Sequence, residues 1–137
     1  MNGFFVNDSK HDVNATVVGS LANQVQETLI LNAVAIGDTV NHDSETINIS
    51  NLGGRKNLLV KNTHNQSVNV SMVFYDSASF AAGVTVAVAV PNSASKIISA
   101  TDIPQLLEPI QKIKVRLACT VAPTSGSANV YLEGVNI

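Results

Sequence analysis

The chain has 137 residues, of which 45% are hydrophobic and only 13% charged, with a formal net charge of −2 and an isoelectric point near 5.8. That length suits one domain with a continuous core. The charge balance creates no long-range field for nucleic acid or an anionic membrane, so neither is expected as a partner.

Charged residues fall to about half of the typical share of roughly 25%, so the polar surface must come mainly from Asn, Ser and Thr. That mixture suits β structure, in which β-branched residues pack on the pleated surface and Asn and Ser populate the turns. The opening Met1-Asn2-Gly3-Phe4-Phe5-Val6-Asn7-Asp8 lacks the basic start and long apolar core of a Sec-type signal peptide. No apolar run approaches the roughly 20 residues needed to span a bilayer as a helix. These features predict a chain that is soluble where it is made. Residues 1–12 alternate little and read as an N-terminal arm, with residues 13–137 forming a single domain.

Along that domain the dominant signal is period-two alternation, which sends successive side chains to opposite faces of a sheet. It predicts strands over 13–21, 27–36, 45–50 and 57–62. Next, Val68, Val70, Met72 and Phe74 alternate with Asn69, Ser71, Val73 and Tyr75. Further strands follow over 84–90 and 95–99. Beyond them Ile113, Val115, Leu117, Cys119 and Val121 alternate with Lys112, Lys114, Arg116, Ala118 and Thr120, and the last strand covers 128–135. Turn chemistry falls at Asn51-Leu52-Gly53-Gly54, at Asn62-Thr63-His64-Asn65-Gln66 and at Pro123-Thr124-Ser125-Gly126-Ser127. The stretch from Asp102 to Pro109 reads as one helical turn capped by Asp102, too short for a helical layer. Short strands at this spacing predict an all-β antiparallel sandwich, jelly-roll-like, with about eight or nine strands.

The residues that could carry chemistry are sparse. Cys119 is the only cysteine, which excludes an intramolecular disulfide, and its strand position reads as a buried small hydrophobe beside Leu117 and Val121. The pairs His11-Asp12 and His42-Asp43 match no zinc spacing, and His64 sits in a turn, so each histidine is expected to be solvated. No Gly-x-Ser-x-Gly elbow accompanies a base, and Gly53-Gly54 enters no helix that could cradle a phosphate. No enzyme activity, metal or cofactor is therefore expected.

Two features point to surfaces instead. In the stretch Val84, Val86, Val88, Val90 the intervening positions are Thr85, Ala87 and Ala89, so neither face carries charge. Such a strand is either central and covered on both faces, or an edge that a second copy must cover. Val84, Val86, Ala87, Val88, Ala89 and Val90 are accordingly the candidate oligomer interface. Lys112, Lys114 and Arg116 form a basic stripe on one face of their strand, a candidate polar contact face whose plainer reading is the solvent side of an antiparallel strand.

The run Leu58-Leu59-Val60-Lys61-Asn62, a polar turn, Ser67-Val68-Asn69-Val70-Ser71-Met72-Val73-Phe74, then Ile113-Lys114-Val115-Arg116-Leu117 and Val130-Tyr131-Leu132-Glu133-Gly134 resembles small β-sandwich accessory proteins of tailed bacteriophages and prophages. The resemblance covers roughly residues 45–135 and is one of pattern, so it transfers no site residue. It implies a non-enzymatic virion component, such as a capsid decoration, head-fibre or tail-associated protein, located in the virion. Elsewhere the expected location is the cytoplasm. It also implies partners among capsid or tail proteins and a homo-oligomer, with a trimer favoured. The competing class is a module that binds glycans or a cell surface through its loops, against which the scarcity of aromatic residues counts.

Overall fold

A computed structural model describes residues 24–75 and 81–136, of which the first lie just ahead of strand β1. Of the described residues 56% lie in strands and 4% in helix. The expected arm over 1–12 and the expected strand over 13–21 lie outside the described residues. In chain order the strands are β1 (Val25–Val34), β2 (His42–Asp43), β3 (Ile47–Asn48), β4 (Leu52–Asn62) and β5 (Val68–Tyr75), followed by β6 (Ala81–Val84), β7 (Val88–Val90), β8 (Ala94–Ile98), β9 (Lys112–Ala118) and β10 (Ala128–Asn136). One 3-10 turn, Pro104–Leu107, separates β8 from β9.

Two antiparallel sheets face each other. The first runs β1-β10-β4-β8, and the second runs β2-β9-β5-β6, with β3 also on β9 and β7 also on β5. Taking β2 with β3 and β6 with β7 as interrupted single strands leaves eight, four per sheet. The chain then visits the sheets in the palindromic order first, second, first, second, second, first, second, first, which is the winding of a jelly roll. The predicted sandwich is therefore the observed one.

Alternation explains why the sheets meet. Val68, Val70 and Met72 of β5 and Ile113, Val115 and Leu117 of β9 point inward, where they are at most 1% exposed. From the other sheet come Leu58 and Val60 of β4, Ala128, Val130 and Leu132 of β10, and Ile98 of β8. Each fully buried side chain of this size contributes roughly 1.5–3 kcal/mol relative to an exposed one. Ile103 and Leu106 close the far end from the 3-10 turn, and both are fully buried.

Several boundaries depart from the sequence pattern. The stretch 84–90 is not a single central strand: β6 and β7 both pair with β5 at the sheet edge, and residues 85–87 interrupt them. Gly53 and Gly54 lie inside β4, not in a turn. Strand β9 ends at Ala118, so Val121 does not share the core face of Leu117 and is 56% exposed. The expected strand over 45–50 shrinks to β3, and β2 ahead of it carries no alternation long enough to read. The helical turn is capped at Ile103, with Pro104 in its first position. Asp102 instead accepts the Ser99 amide N–H through Oδ2 at 3.2 Å.

The interruptions of both edge strands use one device. At Ser44, between β2 and β3, the backbone N–H donates to the Val115 carbonyl at 2.8 Å. The Val115 N–H then donates to Ser44 Oγ at 2.9 Å, so the hydroxyl stands where the serine's own carbonyl would close the ladder pair. At Thr85, between β6 and β7, the backbone N–H donates to the Met72 carbonyl and Met72 N–H donates to Thr85 Oγ1, both at 2.9 Å. In each case the hydroxyl donates onward to the next residue's carbonyl, that of Glu45 or Val86. The carbonyl turned out of the ladder breaks the straight edge that a foreign strand would need.

Ser44→Ala and Thr85→Val each leave one buried backbone N–H without an acceptor, so each is expected to cost about 1–3 kcal/mol in urea unfolding. The sites lie on opposite edges, so the double variant should lose the sum of the two. A loss below a few tenths in either single variant would contradict the device.

Candidate functional site

One end of the sandwich is locked by side chains that stand where core hydrophobes would be. Asn62, last residue of β4, and His64, two residues on, are 1% and 0% exposed. Asn62 Nδ2 donates to the carbonyls of Gln66, Val90 and Pro91 at 3.0–3.2 Å. Its Oδ1 accepts the His64 backbone N–H and His64 Nδ1–H, both at 2.9 Å. His64 Nε2 in turn accepts the Ile36 amide N–H at 3.1 Å. Because Nε2 faces a donor, the proton must sit on Nδ1. Burial pushes the His64 pKa below its ordinary value of 6.5. The solvated turn histidine expected from sequence is thus a neutral structural one.

The β9–β10 loop is fastened to the same end. Ser127 N–H donates to Thr63 Oγ1 at 3.0 Å, and Asn65 exchanges two hydrogen bonds with Thr124. Gly126, at φ +89°, passes so close that a Cβ there would lie 2.2 Å from the Thr63 carbonyl oxygen, which leaves no residue but glycine room.

At the other end Lys56 is 3% exposed. Its Nζ donates to the carbonyls of Gly53, Gly54 and Glu108 at 3.0–3.2 Å, and burial lowers its pKa. All three ammonium protons are used, so Lys56 keeps none free for an anion in the hollow of about 450 Å³ that it lines with Ile49, Leu52, Leu107 and Ile110. Lys56 instead pins the β8–β9 connection onto β4. Cys119 is buried and free; burial raises its thiol pKa, which makes it a poor nucleophile. No group of three or more metal-ligating side chains comes together among the described residues, and no helix there is long and apolar enough to cross a membrane.

The two sequence-predicted surfaces lie on the second sheet. Of the six candidate interface residues, Val90 is fully buried and Val88 packs against the core, whereas Val84, Val86, Ala87 and Ala89 are exposed. The six do not form one face. The basic stripe does share one face, alternating with buried Ile113, Val115 and Leu117. Arg116 Nε and Nη2 donate to Asp43 Oδ1 and Oδ2 at 2.8 and 3.0 Å, a pairing that lowers the Asp43 pKa. Lys114 Nζ stands 5.9 Å from the Tyr75 ring centre. Much of the stripe is thereby engaged within the chain.

Sequence reading missed the outer face of the first sheet. Cross-strand register aligns Leu29, Tyr131, Leu59 and Ile97, one from each of its four strands, in a single row. Leu29 is 44% and Ile97 63% exposed. On the acidic side of the row, Glu27 lies directly opposite Glu133. Lys61 and Lys96, with Leu59, Ile97 and Tyr131, line a shallow depression of about 450 Å³ on the same sheet. Period-two patterning marks Leu59 and Tyr131 as outward, but only the register reveals that the four meet.

The fold and these surfaces define a jelly-roll β-sandwich with locked loops at one end and an apolar outer face. No protein family model matches the chain, and no curated protein matches its sequence. Among solved structures it is similar to the SPBc2 prophage-derived protein YomS, at 9% identity and a TM-score of 0.52, over 83% of this chain and 95% of that one. It is also similar to part of a chain from infectious bursal disease virus, Gx strain, at 10% identity and a TM-score of 0.48, over 83% of this chain. A bacteriophage CBA120 tailspike domain aligns at 13% identity and a TM-score of 0.44, over 83% of this chain and 19% of that one. The chain spans about a third of the bursal disease virus chain, 32%. The likeness to the prophage-derived protein is one of fold.

The His64 geometry predicts a pH dependence of stability. A histidine whose folded pKa lies below its unfolded value of about 6.5 binds more protons when unfolded, so stability is complete above that pH and is lost as pH falls through 6.5 toward the folded pKa. Urea midpoints should therefore be level between about pH 7 and 8 and decline from about pH 6.5 to 5, before most carboxylates titrate. His64→Gln should be less stable at neutral pH and flatten that decline; an undiminished decline in the variant would assign the effect to another group.

Proposed function

We propose that the chain is a non-enzymatic structural component of a bacteriophage or prophage particle, resident in the virion, which works by associating with itself and docking on capsid or tail proteins. The observation that carries this reading is the outer face of the first sheet. An apolar row crosses it from edge to edge and is flanked by charges that form no ion pair among the described residues. A surface of that kind gains free energy when another surface covers it. The locked loops support the same role, since a building block holds its shape better when its connections are bonded to one another. The near full-length similarity to a prophage-derived protein and the sequence pattern shared with phage accessory proteins agree with it.

The full chain should sediment as a multiple of its 14.4 kDa mass across the micromolar range. Labelled protein should also co-migrate in a density gradient with particles induced from the strain that carries its gene. A monomer absent from the particle band would overturn the reading, and a monomer that binds a glycan array would establish the rival class.

A further inference from the structure

The edges of both sheets are closed to strand addition. On the first sheet, β1 breaks register twice, between Leu29 and Leu31 and again before Val34, and Ala33 takes a φ of 49°. At the opposite edge β8 is five residues long. Its Lys96 pairs with inward-facing Val60, a charge on the core side of an edge strand that blocks extension. On the second sheet Ser44 and Thr85 interrupt the edge strands, as described above. Association by edge pairing is therefore disfavoured on all four sides, and faces remain.

Of the two faces, that of the second sheet carries the basic stripe of Lys112, Lys114 and Arg116 beside Val73 and Val84, with Arg116 already bonded to Asp43. That of the first sheet carries the row Leu29, Tyr131, Leu59, Ile97. Glu27 and Glu133 stand opposite one another on neighbouring strands, a like-charge arrangement that costs stability unless a cation comes near. Asn57 Nδ2 donates to Glu133 at 3.3 Å, but the ion pairs among the described residues are His42–Asp38 and Arg116–Asp43, so no base pairs with either glutamate. Lys61 and Arg55, the outward bases of the face, likewise have no acid partner among the described residues. The acids lie on β1 and β10 on one side of the apolar row, Lys61 of β4 lies on the other side, and exposed Arg55 of β4 lies beyond the acids.

An apolar centre with separated, unmatched acids and bases is complementary to itself under a two-fold rotation. We infer that the outer face of the β1-β10-β4-β8 sheet is a self-docking surface. Two copies pack face to face about a two-fold axis, with apolar row on apolar row and Glu27 and Glu133 of each copy against Lys61 of the other. This rests on the self-association proposed above and supplies its geometry. It also yields even-numbered assemblies, in place of the trimer that the phage resemblance favours.

The test is light scattering after size exclusion, on the full chain and on charge-reversed variants. Glu27→Lys with Glu133→Lys makes the face wholly basic, and Arg55→Glu with Lys61→Glu makes it wholly acidic. Each double variant alone should run at half the wild-type assembly mass with an unchanged β-type circular dichroism spectrum. Mixing the two should restore the wild-type mass, and added salt should weaken the mixed pair more than the wild type. Leu59→Lys, an outward position, should dissociate the wild type without unfolding it. A wild-type oligomer that survives all three variants overturns the face while leaving self-association intact. A wild-type monomer overturns both, whether the row proves to be bare or covered by the chain's own residues.

Discussion

The fold depends on how the buried Asn62 amide is satisfied. A jelly roll carries its chain repeatedly from one sheet to the other, and backbone groups at those crossings leave the ladders that would pair them. At this end Asn62 answers the carbonyls of the β4–β5 and β7–β8 connections, while His64 answers the Ile36 amide between β1 and β2. The His64 carbonyl accepts from Ser93, whose φ of 54° turns the chain toward β8. A network of this kind is worth having only when every member is paired, because a buried polar group left alone costs roughly 1–3 kcal/mol. The two side chains therefore fix three connections together.

That locking bears on function. Loops are usually where binding and catalysis reside, and here those of one end are bonded to one another through Thr63, Asn65, Thr124 and Ser127. At the opposite end Lys56 spends its donors on three carbonyls. The sandwich thus uses its buried polar groups for shape. What the described residues leave without an ion pair is the charge beside the apolar row of the first sheet, on which the proposed assembly role rests.

The sequence made the two central strands of the second sheet legible, because β9 alternates buried and half-buried positions without a break and β5 alternates apolar and polar residues from Val68 to Met72. The basic stripe and its opposing core row were read from that pattern alone. Edge strands were harder. Strand β2 is two residues long, below any periodicity, and the Val84–Val90 stretch reads as continuous because Thr85 is a β-branched residue in good standing in any strand. Only the structure shows its hydroxyl replacing a carbonyl. His64 was misplaced because a polar turn is ordinarily solvated, and nothing local announces that Ile36, 28 residues earlier, will need an acceptor. The apolar row on the first sheet was hidden for a related reason: it belongs to four segments whose register is set by tertiary pairing.

The account's central claim is that the neutral His64–Asn62 pair holds this end of the sandwich shut, and nuclear magnetic resonance of the imidazole and of the Ile36 amide tests it most directly. Only below the ordinary histidine pKa of about 6.5 should the ring take up a second proton, and at neutral pH it should carry its single proton on Nδ1. The Ile36 amide should then exchange with solvent only as fast as the whole domain unfolds. An Nε2–H tautomer, or an Ile36 amide that exchanges far ahead of the β5 and β9 core amides, would contradict it.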